Sequence, residues 1–376
     1  MRINKISITI AALLISSISL SIIFTSCNKN SDTGYIDYLN NKAKLGRLIF
    51  FDNNLSNPIG QSCASCHSPA TSFSDLNHSN ISPGAVSGLF GNRNAPTASY
   101  AMFIPRFHYN SDDSSYVGGL FWDGRVNTLE EQAQKPFLNP LEMNNSSVSM
   151  LINKIKNANY YSLYKSIYGN IGDENTAFTN IAEAIASFER TPEVNPFTSK
   201  YDYYLKGQAI LSAQELRGLN LFNDTIRAQC GNCHLTTPDD VSGKVLFTDF
   251  SYNSDGVPAN PYNPFYTIPS SFNALGSGYI DYGLGSILND HNHDGEFRVP
   301  TLRNIALTAP YFHNGIFGTL EEVVHFYNTR DIPGSGFAKP EVPINIDTAE
   351  TGNLHLTAQE EADIVAFMKT LTDGYK

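Results

Sequence analysis

Two Cys-x-x-Cys-His pentapeptides, Cys63-Ala64-Ser65-Cys66-His67 and Cys230-Gly231-Asn232-Cys233-His234, constrain this chain more than any other feature. On one helical turn, residues at i, i+3 and i+4 share a face, so each pentapeptide sets two thiols and an imidazole side by side. That is the attachment pattern of a c-type haem: both sulfurs bond to porphyrin vinyl groups and the imidazole ligates iron. With 5 Cys and 9 His in 376 residues, chance supplies about 0.002 such motifs, so two copies are not accidental. A zinc site would need all four thiols to converge, and a redox dithiol has no use for His after the second Cys in both copies. The sequence therefore predicts two covalent haems on Cys63, Cys66, Cys230 and Cys233, with His67 and His234 as axial iron ligands.

The fifth cysteine has a different setting. Residues 1–26 run from a basic start (Arg2, Lys5) through an apolar stretch, Ile6 to Phe24, to Thr25-Ser26-Cys27. A small residue before Cys after an apolar core resembles a bacterial lipoprotein signal, with lipidated Cys27 as the mature N-terminus. The stretch is about long enough to span a bilayer, but its five Ser and one Thr and the ending favour cleavage. The expectation is a protein of the cell envelope, periplasm-facing and lipid-anchored; more than one acyl chain gives stable anchoring. Haem attachment of this type also happens outside the cytoplasm. Arg2 and Lys5 are the only charges in 1–26, so their loss takes the net charge from −11 to −13. That balance, with no basic stripe, argues against nucleic acid as a partner.

After a polar linker, 27–40, the length suggests two domains, an N-terminal haem domain over 41–205 and a C-terminal one over 206–376. A faint repeat supports the division. Leu45-Gly46-Arg47-Leu48-Ile49-Phe50 precedes the first haem motif, and Arg217-Gly218-Leu219-Asn220-Leu221-Phe222 the second. Ser212-Ala213-Gln214-Glu215 and Thr357-Ala358-Gln359-Glu360 read as capping boxes that open helices. The second of these helices carries Ile364, Phe367, Met368 and Leu371 on one face, a packing stripe. Strand signals are sparse. The predicted fold is mainly α, two cytochrome c-like haem domains with long irregular loops.

Further blocks carry a resemblance: Asn94-Ala95-Pro96-Thr97; Phe121-Trp122-Asp123-Gly124-Arg125; Glu131-Gln132-Ala133; Asn139-Pro140-Leu141-Glu142-Met143; Val299-Pro300-Thr301-Leu302-Arg303-Asn304; and Ala309-Pro310-Tyr311-Phe312-His313-Asn314-Gly315. With both haem motifs in order, the chain resembles the bacterial di-haem cytochrome c peroxidase and MauG family over most of its length. The resemblance implies that Trp122 lies between the haems. Gln132 and Glu142, ten and twenty residues later, then take the family's positions over the N-terminal haem. Glu142 would be the general acid/base for peroxide, its pKa tuned by partial burial, with Gln132 orienting the oxidant. Without the resemblance, Glu142 has an alternative reading as a helix-capping residue, and Trp122 reads by default as a core residue.

Two departures from the commonest family pattern bear on mechanism. Eight residues before Asn94, where many members place a His that blocks the resting iron, this chain has Val86; His78 and His108 read as loop histidines. Seventeen residues after Pro310, where peroxidases place Met, stands Tyr327, as in MauG. A phenolate favours oxidised iron whereas a thioether raises the potential; the bland reading of Tyr327 is a packed aromatic. The resemblance also implies one calcium ion between the domains at Asn94, Thr308 and Pro310, a plausible oxygen shell when completed by water. Asp290-x-Asn292-x-Asp294-Gly295 mimics the start of an EF-hand loop but lacks its terminal Glu. The implied function is reduction of hydrogen peroxide with electrons from a small redox protein, a cytochrome c or a copper protein. The alternatives are MauG-like oxidation of a partner protein and a non-enzymatic electron-transfer cytochrome. The sequence leaves room for a homodimer.

Overall fold

The computed structural model describes residues 29–376, with side-chain surroundings from Ile36 onward. The expected signal segment and Cys27 lie outside the described residues. As the sequence predicts, the chain is mainly helical, with short helices joined by long irregular loops. The first half contains α1 (Lys29–Phe50), α2 (Cys63–Cys66), α3 (Leu129–Leu138), α4 (Val148–Asn157), α5 (Tyr161–Tyr168) and α6 (Glu174–Glu189). Between α2 and α3 a small antiparallel hairpin pairs β1 (His108–Asn110) with β2 (Ser115–Val117).

The second half contains α7 (Lys200–Leu205), α8 (Ala213–Phe222), α9 (Cys230–Cys233), α10 (Leu284–Leu288), α11 (Leu320–Thr329) and α12 (Ala358–Lys369). Its two-residue strands β3 (Tyr252–Asn253) and β4 (Phe297–Arg298) pair antiparallel, Tyr252 opposite Arg298. Both expected capping boxes are present, Ser212 with Glu215 at α8 and Thr357 with Glu360 at α12. No helix among the described residues is long and apolar enough to cross a membrane.

Each half has its own apolar core. In the first, Leu45, Ile49 and Phe50 of α1 pack with Ile181, Ile185 and Phe188 of α6 and Leu151, Ile152 and Ile155 of α4. In the second, Leu219 and Phe222 of α8 pack with Ile364, Phe367 and Met368 of α12 and with Leu371. Each such side chain contributes ~1.5–3 kcal/mol when fully buried. The faint repeat has a structural meaning. A Cβ on Gly46 would lie 1.8 Å from the Ala184 carbonyl oxygen of α6, and one on Gly218 would lie 1.9 Å from the Asp363 carbonyl oxygen of α12. In both halves the helix before the haem motif crosses its partner backbone-to-backbone, and only glycine fits there.

Two sequence expectations need correction. Residues 29–40, expected as linker, are the first half of α1. The buried turns from Lys42 onward fix a helix, and extending one is far easier than nucleating one. The boundary near 205 also falls late. Tyr201 of α7 packs into the second core, and Asp202 forms a buried, bidentate pair with Arg303 at 2.9 and 3.0 Å. The halves are stitched near the C-terminus by Asp373, which accepts from Tyr100 Oη, the Thr198 amide and Asn304 Nδ2.

Candidate active site

The two haem motifs are built alike. Each is a single helical turn, and in each the histidine closes it through a backbone hydrogen bond, His67 to the Cys63 carbonyl and His234 to the Cys230 carbonyl, both 2.9 Å. His67 Nδ1 donates to the Phe73 carbonyl at 3.1 Å and His234 Nδ1 to the Phe247 carbonyl at 2.9 Å. Such a bond fixes the tautomer and leaves Nε2 free for iron. Burial pushes both imidazoles down, toward the neutral form that ligates metal.

The carbonyls are aimed by an unusual backbone. Phe73 has φ +57° and Phe247 φ +55°, a left-handed conformation costly for a bulky residue. Thr97 Oγ1 bonds the Ser72 carbonyl and Thr301 Oγ1 the Leu246 carbonyl, one residue before each Phe. Sequence reasoning missed the part these four residues play, although Thr97 and Thr301 stand in the blocks that carry the family resemblance. Their signal was present as two short repeats, Phe73-Ser74-Asp75 with Phe247-Thr248-Asp249, and Pro96-Thr97 with Pro300-Thr301.

Beside the first motif, the chain leaves α3 through a tight turn at Asn139-Pro140-Leu141-Glu142. The Leu141 amide donates to Asn139 Oδ1 and the Glu142 amide to the Asn139 carbonyl, each 3.0 Å. Glu142 is half-buried and caps no helix. Burial pushes its carboxyl up, opposed by the Arg125 guanidinium and by Asn139. It stands close enough to Cys63 and Cys66 that its charge helps raise both thiols, after burial as the main cause. The segment carrying Val86 packs on this turn: the Ala85 amide donates to the Glu142 carbonyl at 2.7 Å, and Val86 touches an apolar cluster that includes Leu141. Gln132 is half-buried on α3, next to the core residue Ala133.

The second motif opens onto a cavity of about 230 Å³ lined by Cys230, Cys233, His234, Trp122 and Tyr327. Trp122 sits on the seam between the halves. Its Nε1 donates to the Asn94 carbonyl at 2.9 Å, and its carbonyl accepts from the Arg298 amide at 2.8 Å. Tyr327, on α11, turns its hydroxyl inward to donate to Asp255 Oδ2 at 3.1 Å. Burial and the Asp255 carboxylate hold the phenol well above its usual range, and burial pushes Asp255 up to about 6. The donor set suits a covalent haem: paired thiols, an oriented imidazole and a phenol share one largely apolar cavity. Asp255 had no sequence signal, since it stands 72 positions from Tyr327.

Asn94, Thr308 and Pro310 line the same cavity. Asn94 spends Nδ2 on the Asn80 carbonyl at 3.1 Å; among the described residues nothing donates to its Oδ1 or to the Thr308 and Pro310 carbonyls. Those free oxygens suit a hard cation. The described residues contain no cluster of three His, Cys, Asp or Glu able to hold a metal. In the EF-hand-like loop, Asp290 caps a turn by accepting from Asn292. His78 Nδ1 is committed to the Ala309 carbonyl and His108 Nδ1 to the Arg106 carbonyl, both at 2.8 Å.

Comparison with known proteins agrees with this geometry. Residues 40–210 match the family model described as di-haem cytochrome c peroxidase. The chain is 34% identical to a methylamine utilization protein MauG from Paracoccus denitrificans, with 88% of each covered. It is 32% identical to a cytochrome c551 peroxidase from Nitrosomonas europaea, covering 88% of this chain and 79% of that one. Among solved structures, it superposes on the diheme peroxidase BthA from Burkholderia thailandensis with TM-score 0.77 and 32% identity, covering 88% of this chain and 86% of that one.

Proposed function

This chain belongs to the di-haem cytochrome c peroxidase family, which carries two c-type haems, and from that membership we propose that it reduces hydrogen peroxide to water with electrons from a small redox protein. The observation that carries the proposal is Glu142: a half-buried carboxyl, raised by burial, on a rigid turn against the first haem motif. Cys63, Cys66, Cys230 and Cys233 would anchor the haems and His67 and His234 would ligate their irons, which would supply the electron storage that peroxide cleavage needs.

Peroxide cleavage requires a proton to leave one oxygen and arrive on the other, so that water departs. Glu142 takes the first proton as a base and returns it as an acid, a task that suits a carboxyl moved toward neutral pH. Gln132 holds the oxidant by hydrogen bonding. Val86, on the segment packed against the Glu142 turn, stands where the family resemblance implies a His in many members; with no ligating atom of its own, it would leave the iron open to peroxide without a prior ligand loss. Trp122, pinned at both its indole N–H and its carbonyl, bridges the halves and carries electrons between them. Steady-state peroxide consumption with reduced cytochrome c or a reduced copper protein tests the proposal: rapid turnover supports it, and no donor oxidation above the haem-free background sinks it.

Tyr327 favours a second reading, peroxide-driven oxidation of a partner protein. As an iron ligand it would hold the second haem oxidised and let the pair share oxidising equivalents. Oxidised side chains in a partner, found by mass spectrometry with little catalytic turnover of a cytochrome donor, would select this reading. A calcium ion at Asn94, Thr308 and Pro310, and a lipid on Cys27 holding the protein to the periplasmic face of a membrane, complete the proposal. Elemental analysis and mass spectrometry of the mature N-terminus read these two directly.

A further inference from the structure

Arg298 is 7% exposed, and among the described residues its guanidinium has no carboxylate partner and its Nε no hydrogen-bond partner at all. Within the same residues, Nη1 and Nη2 reach the Val299 and Phe121 carbonyls, each at 3.4 Å. The other buried arginines are treated differently. Arg303 pairs with Asp202 at 2.9 Å and Arg330 with Asp331 at 2.7 Å. Arg93, nearly buried, is clamped between Asp123 and Asp281. A buried charge without a counter-charge is strongly unfavourable, so this site as it stands calls for an anion.

Its place in the fold says which one. Arg298 lines the cavity of Cys230, Cys233 and His234, and belongs to β4, whose amide at 298 bonds the Trp122 carbonyl. The acids lining the cavity are otherwise engaged: Asp255 receives Tyr327, Asp281 receives Arg93, Glu341 accepts from the Asp281 amide, and Asp347 and Glu350 accept from backbone or side-chain amides. A haem brings two propionate carboxylates, and a guanidinium fork binds carboxylate in a bidentate manner.

We propose that Arg298 receives a propionate carboxylate of the haem attached at Cys230 and Cys233, and that this pair fastens that haem to the strand holding Trp122. The proposal rests on the haem assignment of the second motif. Arg298 is thus a positioning residue: it neutralises a propionate and, through its own amide, ties the cofactor to the seam between the halves.

The test uses holoprotein of the wild type and of R298Q and R298K, followed by redox titration and resonance Raman spectroscopy. Loss of the cation favours the ferric state, so R298Q shifts the midpoint potential of the second haem downward, more than that of the first. R298K, which keeps the charge, recovers most of the shift. The propionate bending band of the second haem sits at an ion-paired frequency in the wild type and moves in R298Q. A potential and band unchanged in R298Q overturn the proposal. So does a free-propionate band in the wild type, even where neither variant folds. Wild-type protein lacking a second haem would instead remove the assignment on which the proposal stands.

Discussion

Glu142→Gln separates proton transfer from architecture. The turn around Glu142 is held by main-chain bonds, its amide to Asn139 at 3.0 Å and its carbonyl from Ala85 at 2.7 Å, none of which uses the carboxyl. Gln preserves volume and hydrogen-bonding shape, so the fold and the resting haem spectrum should persist, with stability changed by about 1 kcal/mol or less. What disappears is a group able to accept and return a proton. Positioned general acid–base groups contribute ~10²–10⁴-fold, about 3–5 kcal/mol of barrier. Stopped-flow mixing of the variant with peroxide should therefore show a bimolecular rate lower by that factor. The pH profile adds a second check. Burial raises the Glu142 carboxyl, so the acid limb of the wild-type profile lies above the ordinary Glu value of about 4.3. It vanishes in the variant. A Gln variant within a factor of about three of wild type, less than 1 kcal/mol, refutes the acid–base role.

Tyr327→Met should raise the midpoint potential of the second haem in a spectroelectrochemical titration, because a thioether favours reduced iron; no shift removes Tyr327 as a ligand. Gly218→Ala forces a methyl to 1.9 Å from the Asp363 carbonyl oxygen, so α8 and α12 must separate. The expected loss is ~1–3 kcal/mol or more, read as a lower Tm, and an unchanged Tm contradicts the crossing. Glu189 is 5% exposed, its Oε2 has no partner among the described residues, and burial raises its carboxyl to about 8. The folded state then holds its proton longer than the unfolded chain does. Stability is full below the unfolded value and falls as pH rises toward 8. Glu189→Gln should flatten that decline and stabilise the protein at neutral pH by ~1–3 kcal/mol; equal pH profiles in chemical denaturation argue against it.

The chemistry of this chain was legible where it depends on neighbours along the sequence. The haem pentapeptides, both capping boxes and the apolar stripe of α12 are local patterns, and each stands in the structure where its spacing puts it. Mainly helical architecture followed from the same signals. What depends on segments meeting across long loops was less visible. Phe73 lies six positions after its histidine and Phe247 thirteen, so the shared device for holding the imidazoles does not align by spacing. Asp255 and Arg298 acquire meaning only from the cavity they face. The first turns of α1 read as linker because polar residues dominate them, and α7 read as part of the first half because the Asp202–Arg303 pair spans 101 positions.

The most direct measurement of the central claim is the EPR spectrum of the resting ferric protein. An iron held by His67 with its other face open to peroxide, beside a second iron held by His234 and a further ligand, predicts one high-spin and one low-spin signal of equal weight. Two low-spin signals before any oxidant is added would mean that the face near Glu142 is already filled, and would contradict the account.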